Sequence, residues 1–370
     1  MPPVPASPTR RGVVLRFVLA AAIFCTLEGA IFRTRLYSSH LEPNSTAGLL
    51  QAILSDERLR YRPNTAYVQV LGDSRQALLL RVSDRLIDEA GYTFGRIATA
   101  GTHPRCWYYM LREADPDARK YAAIVIPMYA YEDEDWEDLA ESEVDIHYLA
   151  PLLRLSDLFE FSSSFESWTM RSQAFRTVLF KGLTYKRDVA AYWADPKGRN
   201  IRLNWEREDG AKARYYHVGD EKTNMAGLAV DWQARKITHY PDAATPAVRR
   251  MLDDVLLRPT GRYTGQHTAY LRKWFGKIVD RYRGTRTRIL FMRLPRGPVV
   301  RPYVPDAPTS AVREIAARAD AILMDEHLFD ELERPEWFKD ALHLSNAGAE
   351  RFTEILVREV RKILGPPPAH

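Results

Sequence analysis

At 370 residues the chain is long enough to bury a large core, as one elaborated domain or two. Its 46% hydrophobic and 27% charged residues are an ordinary globular balance, and its two cysteines, Cys25 and Cys106, exclude a disulfide framework. The net charge of +5 is concentrated in residues 1–35, where five arginines face only Glu28; residues 36–370 carry +1, so no nucleic-acid surface is read from it.

Val13 to Phe32 is an apolar stretch, about 30 Å long as a helix, which matches the hydrocarbon thickness of a bilayer. Arg16 and Glu28 interrupt it near its ends, where charged side chains can reach the interface. Arg10 and Arg11 favour a cytoplasmic tip, against which Arg33 and Arg35 weigh. A cleaved signal peptide is the rival, with a poor cleavage site at Glu28-Gly29-Ala30, and a buried soluble helix is the third reading. The favoured expectation is an uncleaved membrane anchor in 1–35, with the rest extracytoplasmic (periplasmic or extracellular).

Residues 36–65 read as a stalk and one short helix, with Asn44-Ser45-Thr46 as its cap and as a match to the glycosylation sequon. From Ala66 an α/β rhythm begins. A strand over 66–71 runs into Gly72-Asp73-Ser74, and a helical pattern follows from Gln76 to Leu86. Tyr92–Ala98 is a second extended stretch, Pro104–Arg112 a helix, and Tyr121–Ile126 a buried parallel strand bounded by Pro127. Cys106 in that helix reads as a packed small hydrophobe.

The rhythm then breaks. Residues 132–145 hold nine acids and no base, read as a solvated face, with a rim that steers charged polymers as the alternative. Leu149–Phe161 and Phe165–Tyr185 have helical spacing, whereas 197–240 is polar and aperiodic yet contains Trp205, Tyr215, Tyr216 and Trp232. Those aromatics are expected to pin the loop to the domain, with a sugar-stacking platform as the alternative. The region 132–262 is thus expected to be a largely helical insertion with a long loop.

The rhythm returns with a helix over 265–283, a strand at Arg288–Met292, a helix at Ser310–Arg318, a strand at Ala321–Met324 and a last helix at Ser345–Leu364. Repeated strand–helix–strand units predict an α/β domain over 66–370: a three-layer parallel sheet with helices on both faces. Ligands bind such sheets beyond the carboxyl ends of the strands, where Ser74 and Gly101 fall.

Gly72-Asp73-Ser74 and Asp340-Ala341-Leu342-His343 carry the chemistry. A serine hydroxyl is a weak nucleophile unless a histidine takes its proton and a carboxylate orients that histidine. Each motif by itself reads as readily as a helix cap in a turn. Together, at opposite ends of one α/β domain, they nominate Ser74, His343 and Asp340 as nucleophile, base and orienter. His327 in Asp325-Glu326-His327 suggests a metal ligand only weakly, because neighbouring side chains diverge on an extended chain; no metal and no cofactor are expected.

An early Gly-Asp-Ser with a late Asp-x-x-His resembles the SGNH (GDSL) hydrolase superfamily. The resemblance implies a flavodoxin-like strand order and an oxyanion hole built from the N–H groups of Ser74 and of Gly101, in the block Ala98-Thr99-Ala100-Gly101-Thr102-His103-Pro104. The family's third block, Gly-x-Asn-Asp, is replaced here by Pro127-Met128-Tyr129-Ala130-Tyr131, so its asparagine donor is missing. Tyr129 and Tyr131 are candidates to contact substrate there, and His103 is a rival base or substrate contact. With one anchor, an early serine, a helical insertion and a late Asp-x-x-His, the layout looks like membrane-anchored proteins of cell-envelope acylation, including D-alanyl transfer and alginate O-acetylation types. That resemblance implies an ester hydrolase or O-acyltransferase acting on a cell-envelope or exopolysaccharide glycan. Its partners would be an acylated glycan or acyl donor, the membrane and a membrane-bound O-acyltransferase, with no nucleic acid. The rival expectation is a non-catalytic protein of the same fold that binds glycan or an acyltransferase.

Overall fold

The computed structural model describes residues 10–75, 91–133, 139–210, 224–259, 265–302, 309–318 and 320–367. The helix expected over Gln76–Leu86, and Tyr215 and Tyr216, lie outside the described residues.

Seven strands are present among the described residues: β1 (Tyr67–Gly72), β2 (Thr93–Ala98), β3 (Ala123–Met128), β4 (Ala229–Asp231), β5 (Lys236–His239), β6 (Arg288–Arg293) and β7 (Ala321–Leu323). In β1, side chains alternate between two apolar faces. Tyr67 and Leu71 enter one core and Val68 and Val70 the other. Ile124 and Ile126 against Ala123 and Val125 repeat the pattern in β3, as do Ile289 and Phe291 against Leu290 and Met292 in β6. Burial on both faces requires helices on both sides of a parallel sheet. The helices Thr46–Arg60, Pro104–Ala114, Gly265–Tyr282 and Ala311–Ala316 cover one face, and Pro246–Leu256 and Asn346–Leu364 the other.

The five-stranded sheet has the order β2-β1-β3-β6-β7, with every neighbouring pair parallel. Counted among its own strands this is 2-1-3-4-5, the flavodoxin-like order, whose connections reverse direction between β1 and β3. Sheets of this order bind ligands at that point, beyond the carboxyl ends of the strands. Ser74 follows β1 and Tyr129 follows β3.

Within residues 36–65, read as a stalk and one short helix, the helix begins at its expected cap but packs into the core. Thr46–Arg60 is a helix capped by Ser45, whose Oγ accepts from Gly48 N at 3.1 Å, and Leu50, Ile53 and Leu54 are buried with Tyr67 and Leu71. Glu57 fixes it further, accepting from Lys120 Nζ at 2.7 Å and Tyr121 Oη at 2.8 Å. This segment is part of the domain.

The insertion between β3 and β6 is largely helical, but it also holds the antiparallel hairpin β4–β5. It joins both cores: Ile146, Leu149, Phe161 and Val178 enter one, Met225, Leu228 and Leu252 the other. Trp232 packs against the second core, as the pinning reading expected, whereas Trp205 is 51% exposed. The acidic run is not uniformly solvated either. Asp133 is fully buried and accepts from Ala311 N at 2.9 and 3.0 Å, countering the positive end of the helix Ala311–Ala316. Asp145 is also fully buried, 3.6 Å from Arg105 Nε.

Among the described residues one helical segment, Val13–Arg33, is long and apolar enough to cross a membrane, with a mean hydropathy of 1.9. It is α-helical over Arg10–Glu28 and passes into a π turn at Gly29–Arg33. Glu28 does not reach for water as expected. It is buried and accepts from Gly182 N at 3.0 and 3.1 Å, while Arg33 donates to the carbonyls of Val178 and Leu179 at 2.6 Å each.

Candidate active site

The two halves of the site come from opposite ends of the chain, and each is held by its own backbone. Beyond β1, the Gly72 carbonyl accepts from Thr99 N at 3.2 Å and from Thr102 Oγ1 at 2.9 Å. These bonds fasten the turn after β2, which carries Gly101, to the turn that carries Ser74. Gly101 adopts φ +69°, a left-handed conformation that only glycine enters without strain. A Cβ there would meet nothing nearer than Val144 Cγ1 at 3.7 Å, so conformation rather than space demands glycine. Among the described residues nothing accepts from the Ser74 or Gly101 N–H.

The other half is a tight loop before the last helix. Phe338 and Leu344 form an antiparallel bridge, and Lys339 N donates to His343 O at 3.0 Å. Ala341 and Leu344 are buried in the second core, which fixes the loop from below. Asp340 Oδ1 accepts from the backbone N–H groups of Leu342 and His343, both at 2.8 Å. Its oxygens lie 3.0 and 2.9 Å from His343 Nδ1.

His343 Nε2 lies 2.9 Å from Ser74 Oγ. An ionised carboxylate only accepts, so the Asp340 contact assigns the imidazole proton to Nδ1 and leaves Nε2 to accept from Ser74. Burial alone would raise the Asp340 pKa. The hydrogen bond and charge of His343 and the two backbone N–H groups outweigh it and hold the carboxyl below its ordinary value. The three residues nominated from sequence are thus in one hydrogen-bonded chain, in the geometry that base-assisted nucleophilic attack requires.

The remaining candidates separate. Tyr129 is 52% exposed at the end of β3 and donates to Asp73 Oδ2 at 3.4 Å. Tyr131 is not a substrate contact: it is 1% exposed, and its hydroxyl donates to the carbonyls of Phe291 and Met324, joining the ends of β6 and β7. His103 is not the base on Ser74, whose Oγ faces His343. Its Nδ1 lies 3.3 Å from Asp145 Oδ1, beside the Cys106 thiol, which is also 3.2 Å from that oxygen. Burial and the Asp145 charge push the thiol pKa well up, leaving an inert packed cysteine. His327 is exposed and pairs with Asp330 at 2.8 Å, and no group able to hold a metal is found among the described residues.

Sequence reasoning missed Arg75. Its guanidinium lies 3.5 Å above the Tyr129 ring and grips Asp73, with Nη2 2.7 Å from Oδ2 and Nε 3.1 and 3.2 Å from the two oxygens. Burial opposes ionisation of Asp73, yet Arg75 and the nearby charge of His103 hold its pKa below the ordinary value. The acid–x–base pair flanking Ser74 was the available signal.

Fold and site together define a parallel α/β protein with linked serine, histidine and aspartate at the β1/β3 switch point. No protein-family model matches the chain, and no curated protein matches it.

Proposed function

We propose that this protein is a membrane-anchored, extracytoplasmic serine enzyme that transfers acyl groups from esters through an acyl-enzyme on Ser74. The chain Asp340–His343–Ser74 carries this reading. His343 Nε2 takes the hydroxyl proton as Ser74 Oγ bonds to the ester carbonyl carbon. The imidazolium, stabilised by Asp340, then gives that proton to the leaving alkoxide as the ester C–O bond breaks. Deacylation repeats the steps with an incoming hydroxyl. That hydroxyl belongs to water in a hydrolase and to a sugar in an O-acyltransferase.

The N–H groups of Ser74 and Gly101 are the donors for the oxyanion, each contributing about 3 kcal/mol where it is aimed at the developing charge. No cofactor enters these steps. The resemblance to envelope-acylation proteins points to a cell-envelope or exopolysaccharide glycan as substrate, and the apolar N-terminal helix supports activity at a membrane. The missing asparagine at 127–131 favours a second reading, a glycan-binding protein that kept the fold without the activity.

A fluorophosphonate probe separates the two, because only an activated serine is labelled readily. Labelling at Ser74 supports the enzyme; an unlabelled, correctly folded protein supports the binding reading. Slow hydrolysis of small acetyl esters, accelerated by an added oligosaccharide acceptor, identifies a transferase, which gains by excluding water from the acyl-enzyme.

A further inference from the structure

A cavity of about 500 Å³ lies apart from Ser74, where the apolar N-terminal helix ends. Phe32, Arg33 and Thr34 line it on one side, and Lys181, Leu203 and Arg207 from the insertion on another. We propose that this cavity binds the phosphate group of an anionic membrane lipid, with the apolar walls receiving the first part of its acyl chains. The proposal rests on reading the N-terminal helix as a membrane span and is independent of the triad.

Charge is the first argument. Five cations line the cavity against three acids, and Glu113, one of those acids, is already paired with Arg58 and Arg154. Lys181 is 5% exposed, and its ammonium donates to the Pro151 carbonyl at 3.2 Å. Neither Lys181 nor Arg33 is in a salt bridge among the described residues. Burial, then the charge of Arg33, push the Lys181 amine down to about 8, with Asp157 and Glu28 offsetting part of this. A buried cation next to a second cation is unfavourable unless an anion joins them. A phosphate supplies that anion and the acceptor oxygens for both.

Position is the second argument. The cavity meets the end of Val13–Arg33, which among the described residues is the segment long and apolar enough to span a bilayer, and the end of such a span falls near the lipid phosphates. Leu36, Leu183 and Trp205 are more than half exposed and sit within two residues of lining positions. Apolar and tryptophan side chains so placed suit the membrane interface. They would seat the insertion on the same leaflet surface and turn the cavity toward the headgroups.

The test is thermal unfolding of the full chain in a neutral detergent, with dihexanoyl phosphatidic acid, dihexanoyl phosphatidylcholine or inorganic phosphate added. Phosphatidic acid is expected to raise the melting temperature by several degrees, the zwitterionic lipid to leave it unchanged, and Ser74→Ala to keep the full shift. Lys181→Met should abolish the shift and Arg207→Ser, on the exposed rim, should reduce it without disturbing the fold. An equal shift from inorganic phosphate would overturn the lipid in favour of free phosphate. The absence of any shift, or a shift that survives both substitutions, would overturn the site.

Discussion

His343 Nε2 stands 2.9 Å from Ser74 Oγ although 269 residues separate them in the chain. The contact follows from sheet topology. β1 is an inner strand, paired with β2 and β3, and the last helix, Asn346–Leu364, crosses the face that carries Val68 and Val70. The loop preceding that helix therefore arrives beside the end of β1. Neither half of the site depends on the other for its own backbone geometry, so substituting the catalytic atoms should leave the fold intact. Ser74→Ala is expected to unfold within about 0.5 kcal/mol of the parent in urea.

Gly101→Ala should separate strain from catalysis. The left-handed backbone costs an alanine about 1–2 kcal/mol, which urea unfolding would measure, while the open space at Val144 adds no clash. If the Gly101 N–H holds the oxyanion, ester turnover should fall more than that strain accounts for, by about tenfold to a hundredfold. Unchanged turnover would remove Gly101 from the site.

Asp145→Ala is expected to be among the most damaging substitutions. It leaves the fully buried Arg105 guanidinium without its carboxylate, and breaking a buried pair in this way costs about 3–5 kcal/mol. Denaturant unfolding checks it; a loss below about 1 kcal/mol would mean the pair is dispensable.

Acid stability should depend on Asp340 and Asp73. Both carboxyls have folded pKa values below the ordinary one, so each contributes stability that is present above about pH 4 and lost as pH falls through its folded value. Arg75→Met removes the largest group holding Asp73 down, leaving burial to raise its pKa. The melting temperature of that variant should begin to fall at a higher pH than that of the parent.

Glu28→Ala should loosen the junction between the apolar helix and the insertion. It leaves the Gly182 N–H without its acceptor, a loss of about 1–3 kcal/mol for a buried donor. Hydrogen exchange at Gly182 should accelerate accordingly, whereas Glu28→Gln, which keeps an acceptor, should preserve most of the protection.

Much of the α/β frame was legible because buried parallel strands are largely apolar runs, as in Ile124–Ile126 and Ile289–Met292. The triad was legible because serine, aspartate and histidine each sit in a short turn with its own local signature. What escaped was set by contacts between distant segments. The helix after Asn44-Ser45-Thr46 is legible from its cap, but its place in the core is not, since its apolar positions gain meaning only against Tyr67 and Leu71. Asp133 and Asp145 were absorbed into an acidic run because charge counts do not register a helix N-terminus or a buried arginine. Tyr131 and Tyr129 look equivalent in sequence, yet both lie past the end of β3, where the irregular chain buries one and leaves the other exposed. The hairpin β4–β5 is short and largely exposed, so it carries little of the hydrophobic pattern that marks a strand.

The most direct measurement is rapid acid quench of the full chain mixed with p-nitrophenyl acetate, followed by peptide mapping. The account expects one acetyl group on the peptide bearing Ser74, none in Ser74→Ala, and acylation slowed by at least about a hundredfold in His343→Ala and Asp340→Asn. Acetyl on another residue, or acylation of Ser74 at the parent rate without His343, would contradict it.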